Sequence, residues 1–289
     1  MKRRTFLKIA GLGTLTGGMY PGILEKLVSA QDRENSLRLW YDSPASRWEE
    51  ALPVGNGRLG AMIFGGTSEE RIQFNEDTLW VGKPRSYANE GAAAYLSEIR
   101  QLLFQGKQDE AEALAMDHFM SEPLRQMPYQ PFADLMLKFP GHERAEAYRR
   151  ELDISEAVSR VNYTVGDLNF TREIFASAPH DVLVIRLESH TPGNLNFSAS
   201  FESPHEQVEL SAVDHSTMAL TGSLEEFYYE RLDSTLECVL DFEARLTAKV
   251  EGGEVTAERT SLNISNGDSA TLCLAAATSY VDYRDVSGD

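Results

Sequence analysis

Cysteine is nearly absent from this sequence of 289 residues, which contains only Cys238 and Cys273. Two cysteines without a close spacing pattern exclude a cysteine-ligated zinc site. The export route predicted below carries proteins that fold in a reducing cytosol, so two buried free thiols are favoured, and a disulfide stays open as the alternative. The six histidines are scattered without HxH or HxxxH spacing. We therefore expect no metal, no cofactor and no histidine-based catalytic triad.

Positive charge is also scarce, because 27 Lys and Arg residues face 45 Asp and Glu residues, which gives a formal net charge of -18. A surface this acidic repels nucleic acid and anionic lipid, so neither is an expected partner. The charge suits a protein with a neutral or cationic ligand. Acidity that only keeps the protein in solution explains the same composition.

Long hydrophobic runs are missing, and no stretch approaches the about 20 apolar residues that a membrane-spanning helix needs. We therefore expect no membrane anchor. Residues 1–30 resemble a bacterial twin-arginine (Tat) leader instead. Arg3-Arg4 precedes Phe6-Leu7-Lys8, a glycine-containing apolar stretch follows, and Val28-Ser29-Ala30 offers small residues for cleavage. The sequence thus predicts a signal peptide over 1–30 and a periplasmic or extracellular location.

The remaining chain, residues 31–289, is predicted to form one mainly β domain, a large antiparallel β-sandwich. Short alternating segments are separated by turn signals such as Gly166-Asp167 and Gly252-Gly253, and no βαβ alternation is visible. Residues 235–246 predict one half-buried strand. Val182 to Leu187 is an apolar run typical of a central strand. A stripe of apolar residues at helical spacing, ended by Gly106, predicts a small helical insert near 90–120.

The richest polar segment is the run Gln73 to Gly82, which places Asn75, Glu76, Asp77 and Trp80 at a strand end. Amides and carboxylates hydrogen-bond sugar hydroxyls, and an indole face packs on a pyranose ring, so these residues are candidates for contact with a carbohydrate. Glu76 and Asp77 are adjacent, so on a strand they point to opposite faces and fit poorly as a catalytic acid and base pair. The competing interpretation, which the pattern favours, is that Glu76 and Asp77 cap a turn and Trp80 is core.

Several segments together resemble the N-terminal domain of family 95 glycoside hydrolases. The most specific are PVGNGRLGAM, from Pro53 to Met62, and QFNEDTLWVG, from Gln73 to Gly82, in this order. Further similarity lies in Leu39-Trp40-Tyr41, Phe139-Pro140-Gly141-His142, residues 148–153 and residues 172–177. The resemblance covers about 37 to 289. One departure is Ala133 in Phe132-Ala133-Asp134, where a glycine is expected, and it puts a local turn in doubt.

This resemblance implies a β-sandwich that precedes an (α/α)6 catalytic barrel in an α-L-fucosidase-like enzyme acting on fucosylated glycans. The catalytic residues of such enzymes lie in the barrel, which we expect to be absent from this chain, so no catalytic residue is assigned. The implied role of this domain is to pack on the barrel and shape its sugar pocket, with Asn56, Asn75, Glu76, Asp77 and Trp80 near the substrate. The alternative is a stand-alone carbohydrate-binding or structural module without catalysis.

Overall fold

The computed structural model describes residues 37–230 and 234–288. The predicted signal peptide over 1–30 lies outside the described residues. Within them the chain is mainly β, as predicted, and the strands form two large antiparallel sheets and one small ribbon. The strands are β1 Arg38–Tyr41, β2 Leu52–Gly55, β3 Leu59–Ile63, β4 Glu69–Glu76, β5 Ala133–Lys138, β6 Glu146–Asp153, β7 Val158–Val165, β8 Leu168–Ser177, β9 Val182–Ser189, β10 Leu195–Glu202, β11 Val208–Ala212, β12 Thr217–Ser223, β13 Phe227–Tyr229, β14 Ser234–Leu236, β15 Asp241–Glu251, β16 Glu254–Ala257, β17 Leu262–Gly267 and β18 Ser269–Thr278.

The predicted helical insert is confirmed. A 3-10 turn at Ala92–Tyr95 leads into helix α1, Leu96–Phe104, and Gly106 lies in a left-handed conformation between α1 and helix α2, Gln108–His118. The single glycine explains the break, because a left-handed residue ends an α-helix and glycine adopts that conformation without steric cost. A shorter 3-10 turn at Trp48–Glu50 was not predicted.

The two large sheets pack face to face. One has the order β1-β6-β7-β8-β9-β18-β15-β12-β11, and the other has the order β16-β17-β10-β5-β4-β3-β2. Their inner faces share one apolar core. In it the Phe132 ring lies 5.3 Å from the tilted ring of Phe74 on β4 and 5.1 Å, edge to face, from the ring of Phe242 on β15. Strand β9 is the fifth of nine strands, which confirms the central position predicted from its apolar run.

The single strand predicted over residues 235–246 is wrong in its continuity. Leu236 ends β14, which pairs only with β13 in a separate ribbon, and β15 begins at Asp241. Between them the chain crosses to the nine-stranded sheet, and the backbone amide of Leu224 donates a hydrogen bond to the carbonyl of Leu240. The predicted alternation is correct inside β15, where Phe242 is buried. The crossing was not visible in the sequence because buried and exposed side chains keep alternating along residues 236–242.

The prediction that both cysteines are buried is wrong. Both thiols are free, but Cys238 is half-buried and Cys273 is exposed. Cys273 points outward because it follows the inward-facing Leu272 on β18, whose even-numbered residues fill the core. The departure at Ala133 disturbs no turn, since Ala133 is the buried first residue of β5.

Candidate functional site

Asn56 organises the turn between β2 and β3. Its Oδ1 atom accepts hydrogen bonds from the backbone amides of Arg58, at 3.0 Å, and Leu59, at 2.8 Å. Its Nδ2 atom donates to the carbonyl of Ser177, at 3.2 Å, and to Oδ1 of Asp181, at 3.1 Å. The amide therefore joins the edge of the seven-stranded sheet to the β8–β9 turn of the other sheet, and all these bonds are internal to the domain.

Glu76 is the last residue of β4 and its side chain is fully buried. One carboxylate oxygen accepts from Nε of Arg58 at 3.1 Å, and the other accepts from the backbone amide and the hydroxyl of Thr78, at 2.8 and 2.6 Å. Burial raises the pKa of this carboxyl. Arg58 also reaches Asp181 at 3.1 Å, so one guanidinium connects the carboxylates of Asp181 and Glu76. With both oxygens occupied and no exposed surface, Glu76 holds the loop in place and offers nothing to a substrate.

Asn75 and Tyr129 hold the loop from its other side. Oδ1 of Asn75 accepts from the amide of Phe132 at 2.8 Å, and the hydroxyl of Tyr129 donates to the carbonyl of Glu76 at 2.7 Å. Trp80 is half-buried, its indole N–H donates to the carbonyl of Asp77 at 3.0 Å, and its ring lies 5.1 Å from that of Tyr129. The indole orientation is therefore fixed from two sides.

Two open cavities flank this loop. One of about 990 Å³ is lined by Arg58, Asp181 and the outer ends of β11, β12, β15 and β18. The other, of about 790 Å³, is lined by Asp77, Trp80, Tyr280, Tyr283 and Val286 among others. The hydroxyls of Thr78 and Thr278 touch between them. The candidate residues thus meet at one end of the sandwich, beside space large enough for a saccharide of two or three rings.

The structure separates the predicted candidates by what they can reach. Asp77 is exposed and Trp80 is half-buried, and both face the 790 Å³ cavity. Asn56, Asn75 and Glu76 use their polar atoms inside the domain.

Sequence reasoning missed several residues of this end of the sandwich. Arg58 was visible inside its motif, but its link to Asp181 joins two turns that are far apart in the chain and leaves no local signal. Tyr280 and Tyr283, which line the 790 Å³ cavity, also went unnoticed because nothing nearby in sequence marks them.

The described ranges hold neither a metal-binding cluster nor a membrane-spanning helix. Residues 37–230 and 234–288 contain no group of three or more His, Cys, Asp or Glu side chains placed to hold a metal ion. Over the same ranges, no helix has the length and apolar character needed to cross a bilayer.

Comparison with known proteins gives consistent matches. The profile described as "Glycosyl hydrolase family 65, N-terminal domain" matches residues 39–283. The chain is 41% identical over 182 residues to "Alpha-L-fucosidase 2" of Arabidopsis thaliana, a match that covers 61% of this chain and 21% of that protein. It is 35% identical over 163 residues to "Probable alpha-fucosidase A" of Aspergillus niger, covering 53% of this chain and 20% of that protein.

The matched stretch therefore spans about a fifth of the length of these curated relatives. Among solved structures, a "Putative kojibiose phosphorylase from human microbiome" is similar with a TM-score of 0.40 and 9% identity, over 86% of this chain and 33% of that one. A likeness this distant supports no argument about the site.

Proposed function

The chain belongs to the family of glycosyl hydrolase family 65 N-terminal domains, and from that premise we propose that it is the N-terminal domain of a secreted α-L-fucosidase-like enzyme acting on fucosylated glycans. The observation that carries the proposal is the 41% identity over 182 residues to a protein named as an α-L-fucosidase. The motifs from Pro53 to Met62 and from Gln73 to Gly82 support the finer assignment to the family 95 type. Hydrolysis is assigned to a catalytic domain of the native protein that carries this chain.

The role proposed for this domain is to pack on the catalytic domain and form one wall of its sugar pocket. The supporting observation is that Asn56, Glu76 and Trp80 brace one end of the sandwich, where two cavities open and where the C-terminal residues 280–288 also lie. Glycoside hydrolysis needs two carboxyl groups placed across the scissile bond. Glu76 is enclosed and Asp77 is its exposed neighbour, so these two carboxyl groups do not form such a pair.

An activity assay tests the proposal. The native protein should release the aryl group from an aryl α-L-fucoside, and the purified chain of 289 residues should not. A native protein that is inactive on α-L-fucosides but retains glycan binding would support the stand-alone carbohydrate-binding module instead. Turnover by the 289-residue chain that disappears in Glu76→Gln or Asp77→Asn would place the chemistry in this domain and refute the assignment.

We propose further that the protein leaves the cytoplasm through the twin-arginine route. The support is the pair Arg3-Arg4 ahead of Phe6-Leu7-Lys8. A reporter fused behind residues 1–30 should stay in the cytoplasm when both arginines are changed to lysine. Unchanged export of that variant would contradict the proposal.

A further inference from the structure

The 790 Å³ cavity, here called the aromatic cavity, has four aromatic rings in its lining. Trp80 and Tyr87 come from the segment after β4, and Tyr280 and Tyr283 come from the segment after β18. Tyr280 and Tyr283 are 40% and 67% exposed, so their rings border the opening. Several aromatic faces around one open cavity are the chemistry that binds pyranose rings, because the apolar face of a sugar packs on an aromatic ring.

The inner part of this lining is held by backbone hydrogen bonds. The amide of Val81 donates to the carbonyl of Pro128 at 3.1 Å, and the amide of Glu122 donates to the carbonyl of Tyr87 at 3.1 Å. These two bonds join the loop after β4 to the loop after α2. The indole bond of Trp80 to Asp77 fixes the loop after β4 internally. A binding surface fixed in this way loses little conformational entropy when it takes a ligand.

The charge of the aromatic cavity is opposite to that of the whole protein. Lys83, Arg85 and Arg125 line it, whereas Asp77 is its one carboxylate. Lys83 forms an ion pair with Glu237. Among the described residues, neither Arg85 nor Arg125 has a carboxylate partner, and the guanidinium of Arg85 lies 5.6 Å over the Tyr87 ring. In a chain with a formal net charge of -18, two arginines left without carboxylates in one cavity are available to an anionic ligand.

We propose that the aromatic cavity binds an acidic saccharide, with a uronic acid carboxylate held by Arg85 and Arg125 and a neighbouring pyranose ring packed on Trp80. A guanidinium presents two parallel donors that match a carboxylate, and such bonds are stronger than neutral ones. The ligand class is opposite to the neutral or cationic ligand expected from composition. The reason is that exposed charges more than about 8 Å away are largely screened at physiological ionic strength, so the cavity's own arginines dominate.

This inference rests on the carbohydrate assignment of the proposed function. It adds that the fucosylated glycan contains an acidic sugar. The two can fail separately. Release of fucose by the native protein tests the proposed function, whereas binding of a non-fucosylated acidic oligosaccharide to the 289-residue chain tests the aromatic cavity without any catalysis.

In the experiment the 289-residue chain is titrated with a trisaccharide of galacturonic acid and, separately, with its methyl ester. Binding is measured by calorimetry and by tryptophan fluorescence. The ester keeps the linkage and ring shape but removes the charge. We expect saturable binding of the acid and about tenfold weaker binding of the ester, since a lost charge-assisted pair changes affinity by about that factor. Inorganic sulfate at the same ionic strength should not displace the acid.

The variants are Arg85→Gln and Arg125→Gln, with Arg259→Gln as the matched control. Arg259 is also exposed, lies in the β16–β17 turn and has no ion pair among the described residues. Each cavity variant should bind the acidic trisaccharide about tenfold or more weakly than the parent does, and the control should bind it as the parent does. Because all three arginines are exposed, thermal melting of the variants should be unchanged, which separates lost binding from lost folding. Trp80→Phe should remove most of the fluorescence change.

Three results would overturn the inference. The first is equal affinity for the acid and its ester, or no binding of either. The second is unaltered binding in both Arg85→Gln and Arg125→Gln. The third is full displacement by sulfate, which would reduce the cavity to a general anion site.

Discussion

Replacing Glu76 with alanine should destabilise the domain without lowering the fucosidase turnover proposed for the native protein. The change removes the acceptor of Nε of Arg58 and of the amide and hydroxyl of Thr78. Leaving a buried donor unpaired costs about 1–3 kcal/mol. The Arg58 contribution is smaller because its side chain is 49% exposed and water can replace the carboxylate. The change also removes a carboxyl whose pKa is raised by burial, and losing this cost of burying a charge offsets part of the lost stability. We expect a net loss of about 2–3 kcal/mol, or roughly 5–10 °C in Tm for a domain of this size.

The assay is thermal and urea unfolding of Glu76→Ala, Glu76→Gln and Asp77→Ala, together with fucosidase turnover per folded molecule in the native protein. Glu76→Gln keeps the shape and should lose less stability than Glu76→Ala. Asp77→Ala is the matched control, since the adjacent carboxylate is exposed and should change Tm little. The reasoning is refuted if Glu76→Ala melts as the parent does, or if turnover per folded molecule collapses in Glu76→Gln while Tm is kept.

Three further changes probe other contacts. Trp80→Ala should cost about 1–2 kcal/mol, less than the 3–5 typical of a fully buried tryptophan, because the indole is half-buried; a larger loss in urea unfolding with intact activity would assign Trp80 to the core. Burial lowers the pKa of His142 to about 4 from an ordinary 6.5, so its stabilising contribution is complete above pH 6.5 and is lost as the pH falls toward 4. Unfolding free energies at pH 7.5 and 4.5 should show an acid-induced loss that is about 2–3 kcal/mol smaller in His142→Phe than in the parent, and equal losses would refute the assignment. Gly66→Ala should abolish soluble folded protein, since the added Cβ would lie 1.8 Å from the carbonyl of Glu69, and a parent-like melt would show that the turn can relax.

Most of the fold followed from patterns of short range. Alternation marked β15, an apolar run marked the central β9, and Gly106 marked the break between α1 and α2. These features depend on neighbours within a few residues, which a sequence displays directly. The crossing at 237–240 was missed because a chain can change sheets without changing the period of its side chains.

The site was less accessible from sequence, because its contacts join distant segments. The motif containing Asn75 to Trp80 was found, but the burial of Glu76 depends on Arg58 and Thr78, and the use of Asn56 depends on Asp181. The aromatic cavity combines residues near 80, 125 and 280. A net charge sums the whole chain, so composition could not show that Lys83, Arg85 and Arg125 gather at this cavity.

The order of strands has a consequence for how the domain can be made. Strand β18, the last strand of the described residues, lies between β9 and β15 in the middle of the nine-stranded sheet. Until it leaves the ribosome, β9 and β15 both present unpaired edges, and exposed edges invite pairing between chains. The nine-stranded sheet therefore cannot close during synthesis, and its completion must wait for nearly the whole domain. Such non-local pairing folds slowly, so the edges of β9 and β15 stay open to pairing with other chains until the residues up to Thr278 have been made.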